Sequence, residues 1–164
     1  MAQVICISAG QLSTKKANNR LNRRNQYLNY GLLSLASVLN RSGLAPIVIH
    51  GHFSAPSETL KTALTYGLAE SSLPVLLSIP SFYAVAWARD FMAEAKALLP
   101  SLRFIVGGRW VIGNRPDLLK SMLPEADRVI PGLAEDRIVE LITGTKAPYV
   151  GEVPREMSKA SCLD

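Results

Sequence analysis

The sequence predicts an α/β fold, a three-layer α/β/α domain with a five-stranded, mostly parallel sheet, and three observations carry that expectation. Short apolar runs near residues 4, 45, 75, 102 and 128 alternate with stretches of helical periodicity, the rhythm of βα units joined by right-handed crossovers. The chain has 164 residues, 48% of them hydrophobic and 19% charged, which suits one domain with a sizeable core. Two of the apolar runs end in glycine, Phe104-Ile105-Val106-Gly107-Gly108 and Val129-Ile130-Pro131-Gly132-Leu133-Ala134-Glu135. In an open α/β sheet, glycine at the carboxyl end of a strand lets backbone approach a ligand closely. Neither edge carries an obvious catalytic group, so binding is the first reading and no catalytic residue is assigned.

The elements follow in order. Val4 to Ile7 reads as a short buried strand. Ser8 to Gln26 is polar and basic, long for a compact connection and therefore a candidate binding loop. Asn29 to Asn40 reads as a helix with Leu32, Leu35, Ala36 and Leu39 as its stripe, ended by Gly43. Ala45 to Ile49 is the second strand. Ser57 is the expected cap of the next helix, which carries Leu60, Leu64 and Leu68 on one face. Val75 to Ile79 is the third strand, and a helix from Tyr83 to Leu98 follows, stopped by Pro100. Leu102 to Val106 is the fourth strand. Arg115 to Met122 is a short helix with Pro116 in its first turn. Arg128 to Ile130 is a very short fifth strand, and Glu135 to Ile142 is the last helix, acidic at its start. Residues 1–143 make the domain and residues 144–164 a tail. A Rossmann-like, flavodoxin-like strand order of 2-1-3-4-5 fits, with the ligand crevice between strands 1 and 3; a 3-2-1-4-5 order fits the same pattern.

Composition narrows the partners. The net charge of +5 is uneven, because Lys15, Lys16, Arg20, Arg23, Arg24 and Arg41 all precede the first acidic residue, Glu58. That local patch suits an anionic ligand group or an acidic protein face. It has no aromatic interleaving before Tyr27 and Tyr30, which argues against nucleic acid. No apolar run is long enough for a membrane span, which needs about 18 residues or more. The N-terminus shows no basic region ahead of its apolar run, so a cytoplasmic protein is expected. Cys6 reads as a buried small hydrophobe, and no disulfide to Cys162 is expected.

Several chemistries are excluded by spacing. The first strand–helix junction holds Gly10 alone, without GxGxxG, and no GxxxxGK[ST] occurs. No serine lies in GxSxG. His50 and His52, the two histidines, lack nearby thiols, so they read as loop residues and not as metal ligands. Ser78 either closes its strand or bonds a ligand. Gly107 and Gly108 either make a tight turn or admit a ligand. Trp110 either stacks on a ligand or covers the core.

Four segments carry a family resemblance: Tyr30 to Leu39 with Gly43 behind it; Val75-Leu76-Leu77-Ser78-Ile79; Phe104 to Gly108; and Asp127 to Glu135. Over residues 1 to 142 the chain resembles the N-terminal cobalamin (B12)-binding domain of B12-dependent radical SAM enzymes. The resemblance implies cobalamin as cofactor, with its nucleotide tail between strands 1 and 3 and its corrin near residues 9 to 12 and 132 to 134. The cofactor-binding residues it implies are Ser8, Gly10, Ser78, Ser81, Gly107, Gly108, Gly132 and Ala134. Ser8-Ala9-Gly10-Gln11-Leu12 replaces the DxHxxG found in some cobalamin domains, so this loop offers cobalt no histidine. Leu133 and Ala134 replace part of the family's GE edge, and His50 stands where an aspartate is common. The chain contains no CxxxCxxC cluster motif. The implied role is therefore a domain or subunit that presents cobalamin to a partner radical SAM-type enzyme or substrate protein. The alternative is a degenerate adaptor that binds protein and no cofactor. Self-association into a homo-oligomer is left open.

Overall fold

The computed structural model describes residues 1–11, 28–111 and 116–145. The basic stretch from Lys15 to Arg24, Arg115, Cys162 and all of the tail beyond residue 145 lie outside the described residues. Five strands form one sheet: β1 (Gln3–Ser8), β2 (Ala45–His50), β3 (Val75–Ser78), β4 (Phe104–Gly107) and β5 (Arg128–Val129). Their order is β2-β1-β3-β4-β5 and every pairing is parallel. The helices are α1 (Tyr30–Arg41), α2 (Pro56–Thr65), α3 (Val85–Leu98), α4 (Pro116–Met122) and α5 (Ile138–Thr143).

Alternation along β1 divides the core between two faces. Ile5 and Ile7 point to one side with Leu77, Phe104 and Val106, under Leu60 and Ala63 of α2, Trp87 and Phe91 of α3, and Leu119 of α4. Val4 and Cys6 point to the other with Leu76 and Ile105, under Leu32 and Leu39 of α1 and Ile138 and Ile142 of α5. The first face holds the aromatics. Trp87 stacks on Phe91 with ring centroids 5.2 Å apart, and Phe91 meets Phe104 edge-on at 6.2 Å. Such pairs add about 0.5–1.5 kcal/mol each beyond their burial. Burial pushes the Cys6 thiol up to about 12, so it packs as a hydrophobe.

Helix ends differ from the expected boundaries for local reasons. Pro56 occupies the first turn of α2, Ala55 stands at its N-cap, and the Ala55 N–H donates to the Glu58 carboxylate at 3.1 Å. Ser57 is thus inside the helix and does not cap it. A short 3₁₀ turn, Phe82–Ala84, precedes α3. The last helix begins at Ile138, not Glu135, because the Glu135 carboxylate turns back to accept the Ala134 N–H at 3.0 Å. At the amino edge, Asp127 accepts the Phe104 N–H at 2.7 Å and pairs with Lys96 at 3.1 Å. Burial opposes its charge, but the Phe104 and Lys96 bonds outweigh that and hold the carboxyl below its usual range.

Candidate functional site

The parallel register sets one row of residues across the carboxyl edge. His50 pairs with Ser8, Ser8 with Ser78, and Ser78 with Gly107. Pairing in register puts all four on the face that carries α1 and α5. The next row down is Cys6, Leu76 and Ile105. Small side chains above larger ones leave a crevice of about 940 Å³. Leu76 and Ile105 line its depth, Leu32 and Leu35 of α1 line one side, and Ile138 and Ile130 line the other. It opens where β1 and β3 lie side by side, the point at which the connections diverge to opposite halves of the sheet.

Polarity in the crevice is concentrated at one cluster. Ser8 and Ser78 are 6% and 8% exposed, two of the three buried polar residues among those described. Asn29, the N-cap of α1, joins them. Its Nδ2 donates to Ser8 Oγ at 3.1 Å and Ser78 Oγ at 2.8 Å, and its Oδ1 accepts the Leu32 N–H at 3.1 Å. Asn29 was not among the residues the sequence singled out. Its only sequence signal is that Asn is a favoured cap just before a helical stripe.

Seven of the eight expected residues line this crevice: Ser8, Ser78, Ser81, Gly107, Gly108, Gly132 and Ala134. Gly10 does not. A Cβ there would lie 2.7 Å from the His52 carbonyl oxygen and 2.9 Å from Trp87 Nε1. Gly10 therefore lets the chain leaving β1 pass between the β2 loop and α3. Gly108 has φ +111°, and a Cβ there would lie 2.6 Å from both the N and O of Ile79. Those atoms already bond Gly107 O at 2.8 Å and Trp110 N at 3.2 Å. Gly108 is thus required by the close approach of the β3 and β4 ends, whatever else it meets. Gly107 is the open member of the pair, with Ile130 O the nearest atom at 3.4 Å.

The rim is apolar and partly charged. Leu28, Tyr30, Phe53, Tyr83 and Leu133 line the mouth and are among the ten exposed large hydrophobics of the described residues. Half of the exposed large apolar side chains among the described residues therefore gather at one opening, which marks it as a place of contact. His50 and His52 stack at 5.1 Å on the same rim. Burial, and then the neighbouring His52, hold the His50 imidazole below its ordinary value. His52 adopts φ 45°, the sole non-glycine positive φ among the described residues. Trp110 packs against the core and lies 6.1 Å from Phe82, which decides its role as a cover. Among the described residues, no cluster of three or more His, Cys, Asp or Glu could hold a metal ion. None of the described helices is long and apolar enough to cross a membrane.

No family model and no curated protein matches the chain. Among solved structures, it is similar to a cobalamin-binding protein from Desulfitobacterium hafniense DCB-2, at 15% sequence identity and a TM-score of 0.49. That similarity covers 82% of this chain and 54% of the other, so the chain spans about half of its neighbour's length.

Proposed function

We propose that this domain binds cobalamin by its nucleotide tail and presents it to a partner radical SAM-type enzyme. The observation that carries the reading is the in-register row Ser8, Ser78 and Gly107 over a deep crevice at the β1/β3 junction. At about 940 Å³ the space lies within the range of small-molecule and cofactor sites. The residues fit the tail's chemistry. Each serine hydroxyl accepts from Asn29 and still has its own O–H to donate, and the tail's base offers one ring nitrogen as an acceptor. Gly107 supplies room that a side chain would fill. Leu76 and Ile105 keep water from the deep end. Gly132, Leu133 and Ala134 on one side and Tyr30, Phe53 and Tyr83 around the mouth give the flat corrin an apolar bed. What cobalamin supplies when bound is cobalt-centred methyl or electron transfer, while the protein contributes binding and orientation.

The test is direct. Purified protein is incubated with hydroxocobalamin, separated by gel filtration and scanned by absorbance. A corrin spectrum in the protein fraction supports the reading, and a colourless fraction of well-folded protein rejects it. The exposed apolar rim also favours a second reading, an adaptor that docks a protein there without cofactor. That reading requires a stable complex formed by colourless protein.

A further inference from the structure

We propose that Asn29 is a positioning residue that fixes the polarity of the crevice, so that it selects ligands whose buried end carries a hydrogen-bond acceptor such as an unprotonated ring nitrogen. The inference deepens the cobalamin reading and rests on it for the identity of the natural ligand.

An asparagine amide has one acceptor oxygen and a nitrogen with two donors. Its orientation is commonly ambiguous, but here the helix decides it. The Leu32 N–H, one of the orphan donors at the start of α1, needs an acceptor and finds Oδ1 at 3.1 Å. The reversed amide would set donor against donor. Nδ2 must then face the two serines, and it donates to Ser8 Oγ at 3.1 Å and to Ser78 Oγ at 2.8 Å. Each oxygen spends one of its two lone pairs on Asn29, and its hydroxyl hydrogen is left to donate into the crevice that the serines line. A backbone N–H at a helix end thereby dictates the sign of two hydroxyls on different strands. A ligand end with an acceptor nitrogen meets a donor. An end that only donates can use the second lone pair of each oxygen but leaves two buried O–H groups unmet, which costs binding.

The test is Asn29→Asp. Aspartate caps a helix as well as asparagine does, so α1 and its Leu32 bond are kept. A carboxylate only accepts, however, and both serine hydrogens turn toward it, away from the crevice. Binding of cyanocobalamin and of cobinamide, which lacks the nucleotide tail, is measured by calorimetry for both proteins. The wild type is expected to prefer cyanocobalamin. In the variant that preference falls by about tenfold, the worth of one lost buried hydrogen bond, with cobinamide affinity unchanged. An unchanged preference in Asn29→Asp overturns the proposal and leaves the cobalamin reading intact. Equal loss for both probes makes Asn29 merely structural and also overturns it. The added carboxylate also repels the tail's phosphodiester, which cobinamide lacks, so a second, uncharged pair of probes decides Asn29 by itself, and does so too if the wild type binds neither corrinoid and the cobalamin reading fails. These are 5,6-dimethylbenzimidazole and 5,6-dimethylindole, alike in shape but differing in the acceptor nitrogen. Shifts of the Ser78 amide resonance with the first alone, lost in Asn29→Asp, uphold the proposal, and equal responses to both overturn it.

Discussion

Replacing the two adjacent glycines at the end of β4 by alanine should have opposite consequences. At Gly108 the new Cβ would lie 2.6 Å from Ile79 N and 2.6 Å from Ile79 O. Neither atom can retreat cheaply, since the first bonds Gly107 O at 2.8 Å and the second Trp110 N at 3.2 Å. Relieving that overlap by parting the strand ends costs about 1–3 kcal/mol. Holding a non-glycine residue at φ +111° adds about 1–3 kcal/mol more. A loss of roughly 2–6 kcal/mol follows, and for a chain of this size each kcal/mol lowers the thermal midpoint by about 2–4 °C. Gly108→Ala should therefore melt at least about 4 °C below wild type. At Gly107 the nearest atom to a new Cβ is Ile130 O at 3.4 Å, an ordinary contact, so Gly107→Ala should stay within about 0.5 kcal/mol of wild type. Thermal denaturation followed by far-ultraviolet circular dichroism measures both. A Gly108→Ala midpoint equal to wild type, or a Gly107→Ala midpoint just as low, would refute the assignment of the two glycines.

Gly107→Leu fills the crevice from its open side, so it should fold normally and lose retention of hydroxocobalamin on gel filtration by at least about tenfold. Asp127→Asn weakens a charge-assisted bond to the Phe104 N–H and should cost about 1 kcal/mol near neutral pH by urea unfolding. Because the Asp127 carboxyl is held below its usual range, that difference is present above about pH 4 and disappears as pH falls further. His50 has the same sign by a different route: its imidazole value is lowered by burial and by His52, so its contribution is complete above about pH 6.5 and is lost on acidification. His50→Gln should flatten the fall in melting midpoint between about pH 7 and pH 5, and an unchanged slope would count against the burial argument.

Much of the fold was legible in the sequence. Each strand is an apolar run, and glycine or proline marks most of the stops. Two strand orders fitted that pattern, and Pro46 distinguishes them. It lies within β2 opposite Val4, and proline has no N–H to give to a neighbouring strand, so β2 belongs at an edge. That requirement suits 2-1-3-4-5 and opposes 3-2-1-4-5, where the second strand is internal. The crevice residues at strand ends were also readable, since Ser8, Ser78 and Gly107 share a row once the strands are parallel. Asn29 was not readable, because its partners Ser8 and Ser78 lie 21 and 49 residues away and only tertiary structure unites them. The glycine pair was readable only as a pair, for a related reason. Sequence shows two flexible residues but not which one takes positive φ, and it is Gly108 that presses on Ile79. The last helix misled because an acidic residue near a helix start can cap the preceding loop instead, as Glu135 does at Ala134.

The close seating of Gly10 on Trp87 makes the protein its own optical gauge. The chain has two tryptophans. Trp87 is fully buried, its Nε1–H bonded to the Ser54 carbonyl at 2.8 Å, and it touches the point where the chain leaves β1. Its emission is shielded from water, and the indole N–H senses the β2 loop directly. Substituting Trp110 by phenylalanine leaves Trp87 as the single emitter. Because a corrin absorbs in the near ultraviolet, quenching by energy transfer would then report its arrival at the rim from a fixed internal donor. A spectral shift without quenching would instead report movement of the junction between Gly10 and Gly51.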